Sequence, residues 1–407
     1  MNRFILYLTA VALAAFATGA QLVVLPWLAV NELQLPANQV GWVQSAVLFP
    51  SLLLMLVGGA VADQRQMRGL LPLMYLLMVA CHGAMLWVLN RGSLELSSVL
   101  LYAASLGAVA AFIQPLRDRV LPRLIEAPSQ LQASVVKVSL CVYIAQALGV
   151  TLAGQVDGLS FQVIIVIQAM TLIVCALLML AVLRYLPGMN PDKPIAVSEQ
   201  ASASVSIGEG VIFVRHHPVL KHLIALVGFN GFMHIGVFVV ALPLLSRDVY
   251  QQNALHFAGL QLAFVLGSVV ATLMILRRGA VDQPGRAILF SLLYAGVLML
   301  AISAKPTLVG LFLLVFAWGV VAGVSASLGK ALLQQQVDDR FRGRALSIYH
   351  LALFGGAPLG ALVCGYAVQH QGALALFKIG GSLTLGVFVI YLGVRALWNI
   401  APPNEAS

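Results

Sequence analysis

Twelve apolar runs, each about 20 residues or longer, alternate with short polar segments along the whole chain. A helix of that length crosses a hydrocarbon core about 30 Å thick, because it rises about 1.5 Å per residue. In lipid the backbone must satisfy its own N–H and C=O groups, so each run is expected to be helical. Composition agrees, with 61% hydrophobic and only 9% charged residues, against about 25% charged in an ordinary soluble chain. Those figures exclude a soluble fold, and the abundance of Leu, Ile, Val and Phe excludes disorder. The expected class is an all-α membrane protein.

The expected spans cover about 4–30, 40–62, 69–89, 97–116, 131–154 and 161–185, then about 218–246, 256–276, 286–303, 307–329, 344–368 and 374–397. The run from Phe4 to about Ala29 is too long for the apolar core of a signal peptide and lacks a cleavage site. It is expected to be a retained first helix. Pro187 to Arg215, with Pro191, Pro194 and a Ser/Ala-rich stretch, is the one long polar segment. The chain therefore divides into a six-helix bundle at 1–186, a linker at 187–216 and a second six-helix bundle at 217–407.

Lys and Arg give the orientation. With the amino terminus inside, only Arg91, Arg247, Lys305 and Lys378 of the 23 basic residues fall outside. Both termini and the linker are thus expected in the cytoplasm, with the protein multi-pass in the inner membrane. The net charge of +9 belongs to this asymmetry, and no zinc-finger spacing or aromatic-basic platform points to nucleic acid. Cys81, Cys141, Cys175 and Cys364 are singletons within apolar runs, expected as buried small hydrophobes rather than disulfides or metal ligands. No metal and no cofactor are expected.

Six spans plus six suggest an internal repeat. Leu25-Pro26 is matched by Leu242-Pro243 at an offset of 217, Gly41 by Gly259 at 218, and Gln44 by Gln261 at 217. Gly149 and Gly154 are matched by Gly360 and Gly365, both at 211. Each match alone is weak, since glycine is common in membrane helices; the coherence across four helices carries the argument. Two such repeats place a binding cavity near the bilayer midplane.

Between the second and third spans the chain reads Gly58-Gly59-Ala60-Val61-Ala62-Asp63-Gln64-Arg65-Gln66-Met67-Arg68-Gly69. A basic turn with an incidental Asp would look similar. Gly59, Asp63 and Arg68 nevertheless fit the pattern Gly-x-x-x-Asp-x-x-x-x-Arg, and here the sequence resembles the major facilitator superfamily. The second basic position of that pattern is Gly69 in this chain. The resemblance extends to Phe112-Ile113-Gln114-Pro115-Leu116-Arg117-Asp118-Arg119, and to Arg342-Gly343-Arg344 followed by Gly356-Ala357-Pro358-Leu359-Gly360-Ala361-Leu362-Val363-Cys364-Gly365. These stretches look like the enterobactin-exporter and macrolide-efflux branch. The resemblance implies twelve transmembrane helices in two pseudo-symmetric six-helix bundles, and export of a small amphiphilic compound driven by proton entry. It also implies gating by Gly59, Asp63, Arg68, Arg117, Arg119 and Arg344, and helix packing or hinging at Gly149, Gly154, Pro358, Gly360 and Gly365. Two positions depart from the drug-antiporter pattern: Ala103 stands where many carry Arg, and Val150 follows Gly149 where Pro is usual.

Proton coupling needs a titratable group at depth, and ionisable residues there are costly and usually functional. No Asp or Glu lies deep in a span; Asp63 and Asp118 are at the inner face, Asp157 and Asp248 at the outer ends. His234, 13 residues beyond Lys221, falls near the midplane, and an unperturbed pKa of about 6.5 suits exchange near neutrality. It is the coupling candidate, with a hydrogen-bonded packing role as the alternative; His82 and His350 are weaker candidates. Gln21, Gln44, Gln114, Gln146, Asn230, Gln261, Tyr349 and His350 join His234 as candidate cavity residues. Each of these has the alternative of bonding a neighbouring helix.

The expected function is secondary active transport by a monomer, with an amphiphilic substrate, a proton and membrane lipids as partners. An importer of a small metabolite and a lipid- or lysolipid-handling protein remain as alternatives. An enzyme is disfavoured, because no HExxH, GxSxG or CxxC motif and no paired intramembrane carboxylates occur.

Overall fold

The computed structural model describes residues 3–63, 67–118, 120–125, 128–184, 207–278, 281–337, 339–398 and 400. Among the described residues twelve long helices follow in order: α1 Arg3–Glu32, α2 Ala37–Asp63, α3 Met67–Asn90, α4 Leu96–Asp118, α5 Pro128–Ala153, α6 Phe161–Arg184, α7 Leu220–Val249, α8 Ala254–Arg278, α9 Pro284–Ser303, α10 Leu308–Gln335, α11 Asp339–Gln371 and α12 Ala373–Val394. Among the described residues, ten are long and apolar enough to cross a membrane; α2 and α5 are helical but fall outside that set. The protein is an all-α, multi-pass membrane protein.

One sequence expectation is corrected: α11 starts at Asp339, not near Arg344, so Arg344 stands in its second turn. Before α7, Ile207–His216 forms a short helix, as its apolar Ile207, Val211, Ile212, Phe213 and Val214 allow.

The chain forms two compact units. The first comprises Met1–Ala196 with Gln251–Ala258, the second Val197–Tyr250 with Gly259–Ser407. In the first, α1 pairs with α5 and α2 with α4. Gly149 of α5 meets α1 so closely that a Cβ there would overlap the Phe16 carbonyl oxygen. Gly107 of α4 stands likewise against the Val47 carbonyl, and the Ser51 hydroxyl donates to the Gly107 carbonyl at 2.8 Å. The second unit repeats both joints. Gly360 of α11 abuts the Phe232 carbonyl of α7, Gly319 of α10 abuts the Phe264 carbonyl of α8, and the Ser268 hydroxyl donates to the Gly319 carbonyl at 2.9 Å. Small residues let membrane helices approach until van der Waals contact and interhelical hydrogen bonds hold them. The internal repeat is thus a repeat of joints. Pro358 and Gly365 are buried on α11, and Gly154 packs against Leu255 and Ala258 within the first unit. Asp157 caps the start of α8 there, accepting the Ala254 N–H at 2.8 Å and the Trp27 indole N–H at 3.2 Å.

Cys175 and Cys364 are buried and Cys81 and Cys141 half-buried, all four as free thiols. Among the described residues no group of three or more His, Cys, Asp or Glu is placed to hold a metal.

The α7 helix departs from α geometry. Three successive five-residue stretches, Gly231–Ile235, Val237–Ala241 and Leu245–Val249, carry π-type hydrogen bonding. Such turns are rare and concentrate at functional sites. His234 lies in the first of them.

Candidate functional site: a cavity in the second unit

A cavity of about 220 Å³ lies inside the second unit, walled by α7, α8, α9, α10 and α11. Three of the expected cavity residues, Asn230, His234 and Tyr349, meet there. Asn230 and His234 are one turn apart on α7, and Phe238 continues the same face.

The ring of His234 is fully specified by its neighbours. An indole N–H is a donor only, and that of Trp318 points at His234 Nδ1 across 3.3 Å. Nδ1 must therefore accept, which places the imidazole proton on Nε2. Nε2 faces Thr384 Oγ1 at 3.4 Å, and the Thr384 hydroxyl donates to the Gly380 carbonyl at 2.7 Å. The relay Trp318→His234→Thr384→Gly380 uses each group once and requires a neutral histidine. A proton added at Nδ1 would set two donors against each other.

Trp318 is the centre of an aromatic wall. It is 2% exposed and meets Phe264 edge-on at 5.6 Å, Phe238 at 5.8 Å and Phe377 at 6.2 Å between ring centres. Edge-to-face pairs at such separations contribute beyond simple burial. Trp318, Phe238, Phe264, Ser291 and Ser325 were not foreseen from the sequence. Aromatic and small residues inside an apolar run offer no contrast by which to choose them.

The remaining candidates lie elsewhere. Gln261 is buried in the second unit without lining the cavity. His350 is half-buried, its ring edge-on to Tyr349 at 5.9 Å. In the first unit Gln21 accepts from the Tyr102 hydroxyl and from Gln168 Nε2, both at 3.1 Å, tying α1 to α4 and α6. Its own Nε2, with that of Gln44, is buried without a hydrogen-bond partner among the described residues, which is uncommon for buried polar atoms. Gln146 is half-buried on α5, its carbonyl against Gly19. Gln114 is exposed and accepts from the Arg117 guanidinium at 2.7 Å. His82 is 3% exposed; its Nδ1 bonds the Met78 carbonyl at 2.7 Å, while Nε2 is buried without a partner among the described residues. Of the expected gating residues only Arg117 is described in its side chain; those of Asp63, Arg68, Arg119 and Arg344, and the surroundings of Gly59, lie outside the described residues.

Apolar helices joined pairwise within each unit, with such a cavity inside the second, are those of a multi-pass membrane transporter. The sequence profile of the Major Facilitator Superfamily matches residues 7–303. The chain belongs to that superfamily, and is a transporter rather than an enzyme. It is 25% identical over 366 residues, 87% of each chain, to the staphyloferrin A transporter of Staphylococcus aureus (strain NCTC 8325 / PS 47). Among solved structures it is similar in fold to the nucleoside transporter NupG, with a TM-score of 0.70 at 13% identity over 98% of this chain and 100% of that one. An auto-inhibited peptide transporter of the POT family gives 0.75 at 12% identity over 100% and 99%.

Proposed function

We propose that the protein exports a small amphiphilic compound, siderophore or drug-like, by alternating access driven by proton entry. The cavity carries this reading, because it is apolar and aromatic with a few amide and hydroxyl groups and no charged residue in its lining. The resemblance of the α11 sequence to the enterobactin-exporter and macrolide-efflux branch supports it. So does the 25% identity to a protein named for staphyloferrin A transport. In cells lacking the gene, the compound is expected to accumulate inside and to fall in the medium. Depletion inside cells, corrected by external supply, would make the protein an importer instead.

The architecture proposed is twelve transmembrane helices in two six-helix bundles, a monomer in the inner membrane with both termini and the linker cytoplasmic. A reporter fused after Ser407 or within Pro187–Arg215 is expected to read cytoplasmic. A periplasmic signal at either place would overturn this topology.

The coupling site in this reading is His234. Because protonation at Nδ1 is incompatible with the Trp318 bond, proton uptake releases Trp318 from the wall and so changes the cavity the substrate occupies.

The inner gate in this reading is Asp63, held by Arg117 or Arg119 and capping α11, whose N-terminal end carries a partial positive charge. With α11 beginning at Asp339, the end to be capped lies one turn before Arg344. Two or three such contacts, at about 0.3–1 kcal/mol each, shift a two-state equilibrium by roughly tenfold. Asp63→Asn is expected to favour the inward-open state and slow turnover while leaving the fold intact. Unchanged labelling of cysteines introduced on the inner side, with normal transport, would remove Asp63 from the gate.

A further inference from the structure

The cavity of the second unit is polarised along its length. At one end stand the rings of Phe238, Phe264 and Trp318. At the other stand Asn230, Ser325 and Tyr349, the Tyr349 hydroxyl lying in the space left by the missing side chain of Gly329. Phe238 is eight residues beyond Asn230 on α7, and Trp318 seven before Ser325 on α10, so the ends are about 10–12 Å apart.

Hydrogen-bonding capacity is divided the same way. At the ring end the Trp318 N–H, both His234 nitrogens and the Thr384 hydroxyl are consumed by the relay. That end presents aromatic faces alone. At the other end the half-buried Asn230 amide and Ser325 hydroxyl, with the Tyr349 hydroxyl, make no hydrogen bond to another described residue and line the cavity. They are free to pair with a ligand, whose own polar group would otherwise lose its bonds to water on entering an apolar space. An ionised ligand group would lose its hydration with no counter-charge in the lining. The volume of about 220 Å³ accommodates a two-ring system.

We propose that this cavity binds an uncharged aromatic group of two fused rings or fewer, with its hydroxyl or amide substituent at the Asn230–Tyr349 end. Aromatic carboxylates and other anions are rejected. The proposal names the substrate class of the transport reading above and rests on the same cavity, but its test requires no transport.

The full-length protein in lipid nanodiscs is titrated calorimetrically with 2-naphthol and with 2-naphthoate at neutral pH, where the first is neutral and the second anionic. Saturable binding of 2-naphthol, with 2-naphthoate at least about tenfold weaker, is expected. Asn230→Leu and the shape-preserving Tyr349→Phe should each weaken 2-naphthol by about three- to tenfold, the worth of one hydrogen bond. Both should leave binding of unsubstituted naphthalene unchanged. Phe264→Ala should weaken naphthol and naphthalene together. Equal affinity for the anion, no saturable naphthol binding, or unchanged naphthol affinity in both polar-end variants would overturn the proposal. Naphthol binding as expected, in a protein whose absence alters no metabolite distribution, would sink the export reading and leave this one standing.

Discussion

Replacing Gly360 by Leu is expected to remove nearly all folded protein from the membrane. At this position α11 and α7 meet backbone to backbone: a Cβ on Gly360 would overlap the Phe232 carbonyl oxygen, and one on Gly236 would come within 2.7 Å of the Gly360 carbonyl carbon. Overpacking ordinarily costs about 1–3 kcal/mol because side chains shift to absorb it. Here the obstacle is main chain on a helix held along its length, so relief requires separating the two helices. Their contact, with that of α9 and α12, holds much of the second unit together. The control is Gly386→Leu on α12, where a Cβ meets nothing within 4 Å. Fluorescence-detected size-exclusion chromatography of tagged variants should show a monodisperse peak for Gly386→Leu and none for Gly360→Leu. Comparable peaks would mean that the α7–α11 joint yields, and that close approach there does not hold the unit.

His234→Ala is expected to reduce pH-driven exchange at least about tenfold while leaving substrate counterflow measurable. His234→Gln should behave alike, since an amide can accept from Trp318 yet cannot take up a proton near neutrality. The relay explains why the histidine matters in this scheme. Its Nδ1 is already engaged by a donor, so a proton and Trp318 compete for one lone pair. Occupancy by the proton and the position of the aromatic wall are then two descriptions of one event. Full pH-driven transport in both variants would assign the relay to packing, and the half-buried His350 would be the next ring to test.

Much of the fold was legible because lipid imposes a simple rule: apolar runs of sufficient length become helices. The start of α11 was misplaced for the same reason. Asp339, Arg340, Arg342 and Arg344 interrupt the apolar signal, but nothing in them prevents a helix from extending beyond the hydrocarbon core. Gly149 and Gly360 were visible as a repeated pair, yet the joints at Ser51–Gly107 and Ser268–Gly319 were not. Their members are spaced 217 and 212 residues apart between the units, and a match that drifts with loop length is lost among 36 glycines. At the site, Asn230, His234 and Tyr349 were legible because polar groups stand out inside apolar spans. The same criterion also selected Gln114, which faces outward beside Arg117. It passed over Trp318, which decides the histidine's tautomer. Polarity identifies residues that need a partner; only packing says which partner they have.

The π-type turns of α7 bear on how a rigid rod can change what it presents. Each such turn accommodates one residue more than an α turn. Reverting one of them to α geometry advances everything beyond it by about 100° around the axis and about 1.5 Å along it. A rotation of that size re-aims every side chain past the altered turn and sacrifices no more than a few main-chain bonds. With three of these turns in sequence between Gly231 and Val249, α7 holds several alternative settings of its inner face at fixed length of chain. Phe238 lies between the first and the third, so its contact with Phe264 is geared to the winding of the backbone on either side. Winding, rather than bending, is the degree of freedom this helix has in reserve.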